Sequence, residues 1–332
     1  MARSHLTLAA LATAAVAGLD IVQTSTIGSG SSGDFESALL TDRDGKHWII
    51  RKPTTERAEV EQSTDLVALQ ALSAGVRSRL PFAVPSYAGQ TPMNGSRAVV
   101  YHYVYGTPVA LSSLTPGSEL AASIGKAVAA IHTLPSSFVV DAGLPALTPS
   151  ESLASSLTVL DRASATGLVP AALLERWEAA TDDNALWQFA PTVINGTLTS
   201  ESFLATDDAV VSVLGWHGLS IGDPARDLCW LLGASHGGAV DTAFDAYNLV
   251  RGSSDRQILQ RATLYAELEL AKWLLHGTTE RDTEIVDDAV AMLHGLVDSV
   301  QSGMDQNITH DTMPVLNVDE VQELLKRRDG LV

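Results

Sequence analysis

The chain changes texture at Pro116. Before it, short apolar runs alternate with turn signals. After it, apolar residues recur at helical spacing over long stretches. A chain divided this way builds a sheet and a helical body as separate layers, an α+β arrangement. With 332 residues and 45% apolar side chains, it has material for two lobes, each with a sizeable core. Aromatic residues make up only 5%, which favours helices over an all-β build.

In the first part, Ile21 and Val22, then Leu39 and Leu40, read as strand residues on either side of the Gly-rich stretch GSGSSG. Asp42-Arg43-Asp44-Gly45 is a hairpin turn signal, and HWIIRKP is a third strand ended by Pro53. Val60, Leu66, Leu69 and Leu72 then fall on one helix face, with Gly75 as the expected stop. FAVPSYAGQ and SRAVVYHYVYG read as two more strands. The expectation is a small five-stranded antiparallel lobe over residues 1–101 and a hinge over 102–108.

The first eighteen residues admit two readings. Arg3, an apolar run and Ala15-Val16-Ala17 have the form of a short secretory signal. Ser4 as an N-cap, Ala-rich helix formers and Gly18 as a stop describe an ordinary helix. The run is mostly Ala and Thr with few Leu, which favours the helix. No other stretch has membrane-spanning length, so no membrane partner is expected.

The second part, residues 109–303, reads as a helical lobe. GSELAASIGKAVAAIHTLP carries Leu120, Ile124, Val128 and Ile131 at helical period and ends at Pro135. PAALLERWEAA is a further helix with Pro170 in its first turn. TVINGTLTSESFL follows, then a hairpin turned at Asp207-Asp208 and the strand VVSVLGW. GDPARDLCWLLGA, FDAYNLVRG, DRQILQRATLYAELELAKWLLHG and TEIVDDAVAMLHGLVDSVQ all read as helical. Residues 304–332 read as a loose segment with a short terminal helix, where Val321, Leu324 and Leu325 form an apolar face that suits either a docked tail or a protein partner.

Charge narrows the function. Against 39 acidic side chains there are 21 basic ones, a net charge of −18, which excludes nucleic acid as a partner because phosphate binding needs a basic surface. The single cysteine, Cys229, can form no disulfide framework or cysteine metal site and reads as a buried inert thiol. His132 and His276 read as helix-ending cations, and His217 as a packed histidine.

Four marks in order carry a resemblance: VVYHYVYGTPV, LAASIGKAVAAIHTLP, Ile221-Gly222-Asp223-Pro224-Ala225-Arg226-Asp227-Leu228, and YAELELAKWLLHG. Together they are similar to the hinge, the helix ending in a Leu/Ile-His pair, the GDPxxDL segment and the late helix of the aminoglycoside and macrolide phosphotransferase family. The likeness runs from about Leu19 to Val300. It implies the two-lobed protein-kinase-like fold, a nucleotide (ATP or GTP) with a small molecule in the interlobe cleft, and a cytoplasmic location.

The family's catalytic loop reads H-G-D-x-x-x-x-N, in which Asp deprotonates the acceptor hydroxyl and Asn holds Mg²⁺. The same register here gives Asn195, Gly196, Thr197 and Ser202 in the loop region 192–217. A Thr hydroxyl is no base near neutral pH, and Ser is a weak neutral ligand for Mg²⁺. The second metal-ligand position falls on Gly215, which has no side chain to offer. The phosphate-pairing lysine of the third strand falls on Arg51, with Glu61 or Asp65 as its acidic partner. Gly28, Gly30 and Gly33 stand where a phosphate-covering loop belongs, and Tyr103 stands at the hinge beside the nucleotide. Asp223 and Asp227 remain and are expected to be structural, Asp227 bracing the loop. The expectation is a pseudokinase without Mg²⁺ that binds a nucleotide, metabolite or partner. Two alternatives stay open: an active small-molecule kinase with atypical residues such as Glu201 or Asp207, and a non-catalytic interaction scaffold.

Overall fold

The structure, a computed structural model, describes residues 4–27, 33–93, 95–234, 236–252, 255–302 and 308–309. Helix α1, Ser4–Ala15, opens it, and Gly18 at φ +77° turns the chain away. Strands β1 (Ile21–Thr26), β2 (Phe35–Asp42), β3 (His47–Pro53), β4 (Tyr87–Met93) and β5 (Ser96–His102) make one antiparallel sheet in the order β1-β2-β3-β5-β4. Helices α2 (Glu56–Ala71) and α3 (Ala74–Arg77) lie between β3 and β4.

Alternation along β5 divides the two faces of the sheet. Ala98 and Val100 pack with Leu8 and Ala12 of α1, whereas Val99 and Tyr101 join Leu66 and Leu69 of α2 in the main core. Gly89 allows α1 to rest directly on β4, since a Cβ there would lie 2.2 Å from the Ala15 carbonyl oxygen.

The chain leaves the sheet after His102 and enters the helical lobe through β6 (Thr107–Pro108). Helices α4 (Glu119–His132), α5 (Ser137–Asp141), α6 (Pro149–Ser164) and α7 (Ala171–Asp182) follow. Next come β7 (Thr192–Ile194), β8 (Phe203–Thr206), β9 (Ala209–Val213) and β10 (Ser220–Gly222), then α8 (Gly237–Arg251), α9 (Ile258–Glu280) and α10 (Thr283–Gln301). β7 pairs with β10, and β8 lies between β6 and β9, all antiparallel. The β8–β9 hairpin turns at Asp207 and Asp208, both left-handed at φ 49° and 61°, as a two-residue turn that keeps the strand twist requires.

Several sequence expectations need correction. Helix α2 stops at Ala71, and Gly75 lies inside α3. Arg77 satisfies the freed carbonyls by donating to Leu69, Leu72, Val84 and Pro85. Phe82 to Val84 lie outside the small sheet, because Ala83 bonds to Val211 and Val213 of the other lobe. The strand expected through Trp216 ends at Val213, and Gly215 at φ +68° turns its continuation away.

GDPARDLCWLLGA forms two 3-10 turns, Pro224–Asp227 and Cys229–Gly233, instead of an α-helix. Asp223 caps the first turn, and the Trp230 indole N–H takes the Asp227 carbonyl. His276 sits in the interior of α9, stacked on Trp273. Helix α6 escaped the sequence reading because serines stand on its buried face: Ser152 and Ser156 beside Leu160 and Ala163. Its capping box, Thr148 with Glu151 and Pro149 between them, was the available signal. The terminal segment 318–328, with Val321, Leu324 and Leu325, lies outside the described residues.

Candidate functional site

Strand β7 delivers the loop Asn195–Ser202 to the junction between the lobes. Asn195 is fully buried. Its side-chain N–H donates to the Gly215 carbonyl at 2.8 Å, and its Oδ1 accepts the Thr197 backbone N–H and hydroxyl, each at 3.2 Å. Gly196 adopts φ +84°, and a Cβ there would stand 2.5 Å from the Gly218 carbonyl oxygen. The loop is thus closed against segment 215–218 by backbone contact that only glycine permits.

Asp227 is the anchor of this loop. Its two carboxylate oxygens accept the N–H groups of Asn195 and Gly196 at 2.7 Å each. His132 Nε2 reaches the same carboxylate at 3.1 Å, and His132 Nδ1 meets the Tyr247 hydroxyl at 2.9 Å. His132 closes α4, yet it is wholly buried, so hydrogen bonding and not a helix dipole fixes it.

Asp223 is held equally firmly. Arg261 donates to it through Nε at 2.7 Å and Nη2 at 3.1 Å, the Tyr265 hydroxyl at 3.0 Å, and the Ala225 N–H at 2.9 Å. Arg261 also pairs with Asp255 at 2.6 Å. Nothing in the sequence reading pointed to Arg261. A basic residue on the buried face of a long helix was the signal.

Two cavities lie in this region, and of the two the second borders the loop itself. One, of about 340 Å³, lies between the lobes, with Leu39 and Ile49 above, Leu204 and Leu214 below, and Tyr103 at the hinge side. Arg51 and Asp65 stand on its wall, together with Gly215. The Arg51 guanidinium lies over the Phe35 ring at 3.9 Å, and Lys52 pairs with Glu36 at 2.9 Å. Between the two acids left open for Arg51, the structure places Asp65 on the cavity wall, while Glu61 faces His217 at 3.9 Å.

Asp65 accepts the Trp216 N–H at 2.7 Å. Burial pushes its carboxyl above the ordinary range, against the opposing pull of the Trp216 bond and the Arg51 charge. Of the other residues singled out in the sequence, Gly33 has φ +67° and its carbonyl accepts the Thr54 hydroxyl. Gly28 and Gly30 lie outside the described residues.

The second cavity, about 560 Å³, opens on the other side of the loop, beside Gly196 and Thr197. Cys229 borders it, with its thiol pushed up to about 12 by burial, so no thiolate is available near neutral pH.

The donor set does not fit Mg²⁺. Thr197 presents a hydroxyl, the Ser202 hydroxyl accepts the Thr199 N–H at 3.1 Å, and Gly215 has no side chain, its carbonyl being taken by the Asn195 amide. Among the described residues, no group of three or more His, Cys, Asp or Glu could hold a metal. Glu201 and Asp207 are exposed and border neither cavity. No described helix is long and apolar enough to cross a membrane.

Comparison with known proteins agrees with this architecture. Macrolide 2'-phosphotransferase MphH from Brachybacterium faecium superposes with a TM-score of 0.71 at 22% identity, covering 87% of this chain and 97% of that one. The GDP complex of wild-type aminoglycoside 2'-phosphotransferase-IIIa gives a TM-score of 0.71 at 17% identity, covering 88% and 97%. Protein YcbJ of Bacillus subtilis (strain 168), an uncharacterised protein, is 24% identical over 208 residues, 58% of this chain and 65% of its own length. The sequence pattern of the phosphotransferase enzyme family matches residues 24–271. The chain therefore belongs to the phosphotransferase enzyme family and has its two-lobed, protein-kinase-like α+β fold.

Proposed function

We propose that this chain is a pseudokinase of its family: it has lost metal-dependent phosphoryl transfer and keeps the interlobe cavity as a metal-independent nucleotide site. The observation that carries this reading is the state of the loop. Thr197, Ser202 and Gly215 occupy the base and metal-ligand positions without a carboxylate or carboxamide, while the scaffold around them is fully bonded through Asn195 and Asp227. Positioning and charge neutralisation supply most of phosphoryl-transfer catalysis, so losing the ligands removes the larger part of it.

The cavity supports a nucleotide on other grounds. Leu39, Ile49, Leu204 and Leu214 offer apolar faces to a planar base, and Arg51 offers a charge to its phosphates. Relatives of this fold are described in complex with GDP and with ADP. Such a protein acts as a sensor or regulator in the cytoplasm, where its nucleotide is found. A second reading, retained transfer with atypical residues, draws on Asp65, the one carboxylate among the described residues that borders the interlobe cavity.

Calorimetric titration of ATP and GTP, with Mg²⁺ and with EDTA, separates these readings. The proposal expects binding that EDTA leaves unchanged and no release of ADP. Binding that requires Mg²⁺, and is lost in Asp65→Asn, would favour the second reading. Absence of binding under both conditions would refute both.

A further inference from the structure

We infer that the second cavity is a binding site for an organic anion: a ligand with a flat apolar body and one carboxylate-type group, which Arg226 receives. Among the described residues the cavity shares no bordering residue with the interlobe cleft, but Thr197, at the base position of the loop, borders it, so the inference rests on the proposed reading of the loop and names the ligand class of its acceptor side, while nucleotide binding in the cleft is tested separately.

Three observations carry it. The first is the state of Arg226. Its guanidinium borders the cavity and lies over the Tyr265 ring, 5.4 Å from the centroid, but makes no hydrogen bond or ion pair among the described residues. By contrast, Arg77, Arg176 and Arg261 spend their donors on protein acceptors. A half-buried guanidinium with five free N–H groups suits a planar two-oxygen acceptor.

The second is local charge. Among the described residues, Arg226 and Lys272 border the cavity with one acid, Glu269, and Lys272 is already paired with Glu269. The wall therefore carries a net positive charge in a chain of net −18. An anion reaching the cavity exchanges water for Arg226 and meets no unpaired carboxylate on the wall.

The third is the apolar part. Leu198, Trp230 and Tyr265 present flat or aliphatic surface to the same space. The polar atoms of both rings are already used. The Trp230 N–H goes to the Asp227 carbonyl, and the Tyr265 hydroxyl goes to Asp223. What they have left to offer a ligand is ring face. Arg226 precedes Asp227, so an anion held there sits beside the residue that anchors the loop.

The test uses 2-naphthoate as the probe, with 2-naphthamide and 2-naphthylmethylammonium as its neutral and cationic counterparts, titrated calorimetrically into the full chain. The expected result is naphthoate binding about tenfold to a hundredfold tighter than naphthamide, with the ammonium weakest. Arg226→Gln should bring naphthoate down to the naphthamide level and leave naphthamide unchanged, while Arg226→Lys keeps part of the preference. Ala266→Phe, which fills the cavity from α9, should abolish binding of both. Wild-type data alone can overturn the proposal, so it does not depend on any variant folding. Equal binding of the three probes, preference for the ammonium, or no naphthoate binding at about 10 mM would each refute it. Displacement of naphthoate by ATP would place the probe in the interlobe cleft and refute it equally.

Discussion

Asp227 holds Asn195 across thirty-two positions of chain, its carboxylate accepting the Asn195 backbone N–H at 2.7 Å. The bond is buried, and the same carboxylate serves Gly196 and His132. Removing it strands two N–H groups and a ring nitrogen away from water, at about 1–3 kcal/mol for each unsatisfied group and less than additively. Asp227→Ala is therefore expected to lose at least about 3 kcal/mol of stability by urea denaturation. Asp227→Asn, which keeps one acceptor, should lose less. A loss under about 1 kcal/mol for the alanine variant would show that the loop is held from elsewhere.

Gly196 and Gly215 form a natural pair for comparison. Both are left-handed, at φ +84° and +68°, but a Cβ at 196 would stand 2.5 Å from the Gly218 carbonyl while one at 215 meets nothing within 4 Å. Gly215→Ala carries only the conformational penalty, about 1 kcal/mol. Gly196→Ala adds a backbone clash and is expected to cost roughly 2–4 kcal/mol. Thermal unfolding of the two variants side by side checks the order. Equal costs would mean that the loop moves freely away from segment 215–218.

Asp65 makes stability depend on pH in a defined sense. Its folded-state carboxyl is raised above the ordinary value of 3.8, so the folded protein holds that proton more tightly than the unfolded chain does. Stability from this group is complete below 3.8 and falls as pH rises through the raised folded value. Asp65→Asn keeps an oxygen for the Trp216 N–H and removes the ionisation. The variant should be more stable than wild type near neutral pH, with the advantage vanishing in acid. Melting curves across pH 3–8 would read this, and an advantage independent of pH would exclude the burial of Asp65 as its cause.

The degenerate loop should be repairable. Gly215 has open space around it, and aspartate tolerates a left-handed backbone better than most residues. If the proposed function holds, the triple variant Thr197→Asp, Ser202→Asn, Gly215→Asp is expected to fold and to bind ATP with a Mg²⁺ dependence that the wild-type chain does not show in the same titration. Calorimetry with and without EDTA measures the gain. If the variant folds and still shows no Mg²⁺ dependence, the loss lies deeper than these three side chains.

Much of this could be read from residues alone, and the limits have a physical pattern. The small sheet was legible because alternating apolar residues and turn signals such as Asp42-Arg43-Asp44-Gly45 act locally. The Asp207-Asp208 turn was legible for the same reason. The contacts that define the site are not local. Asp65 reaches Trp216 across 151 positions, and His132 reaches Asp227 across 95. No periodicity announces such pairings. Segment 223–233 misled for a related reason: its apolar spacing suits a helix, but side chains from Asp223 and Trp230 capture the turn first.

Helix α1 has a mechanical consequence. With α1 on one face of the sheet and α2 on the other, the small lobe is a three-layer laminate, and bending it would have to shear both glued faces at once. The contact at Gly89, where helix meets strand without a side chain between them, leaves no slack for sliding. A lobe this stiff is a fixed upper wall for the interlobe cavity, pinned to the helical lobe where Ala83 bonds to Val211 and Val213 and where Asp65 accepts the Trp216 N–H, as well as through the connection 103–106.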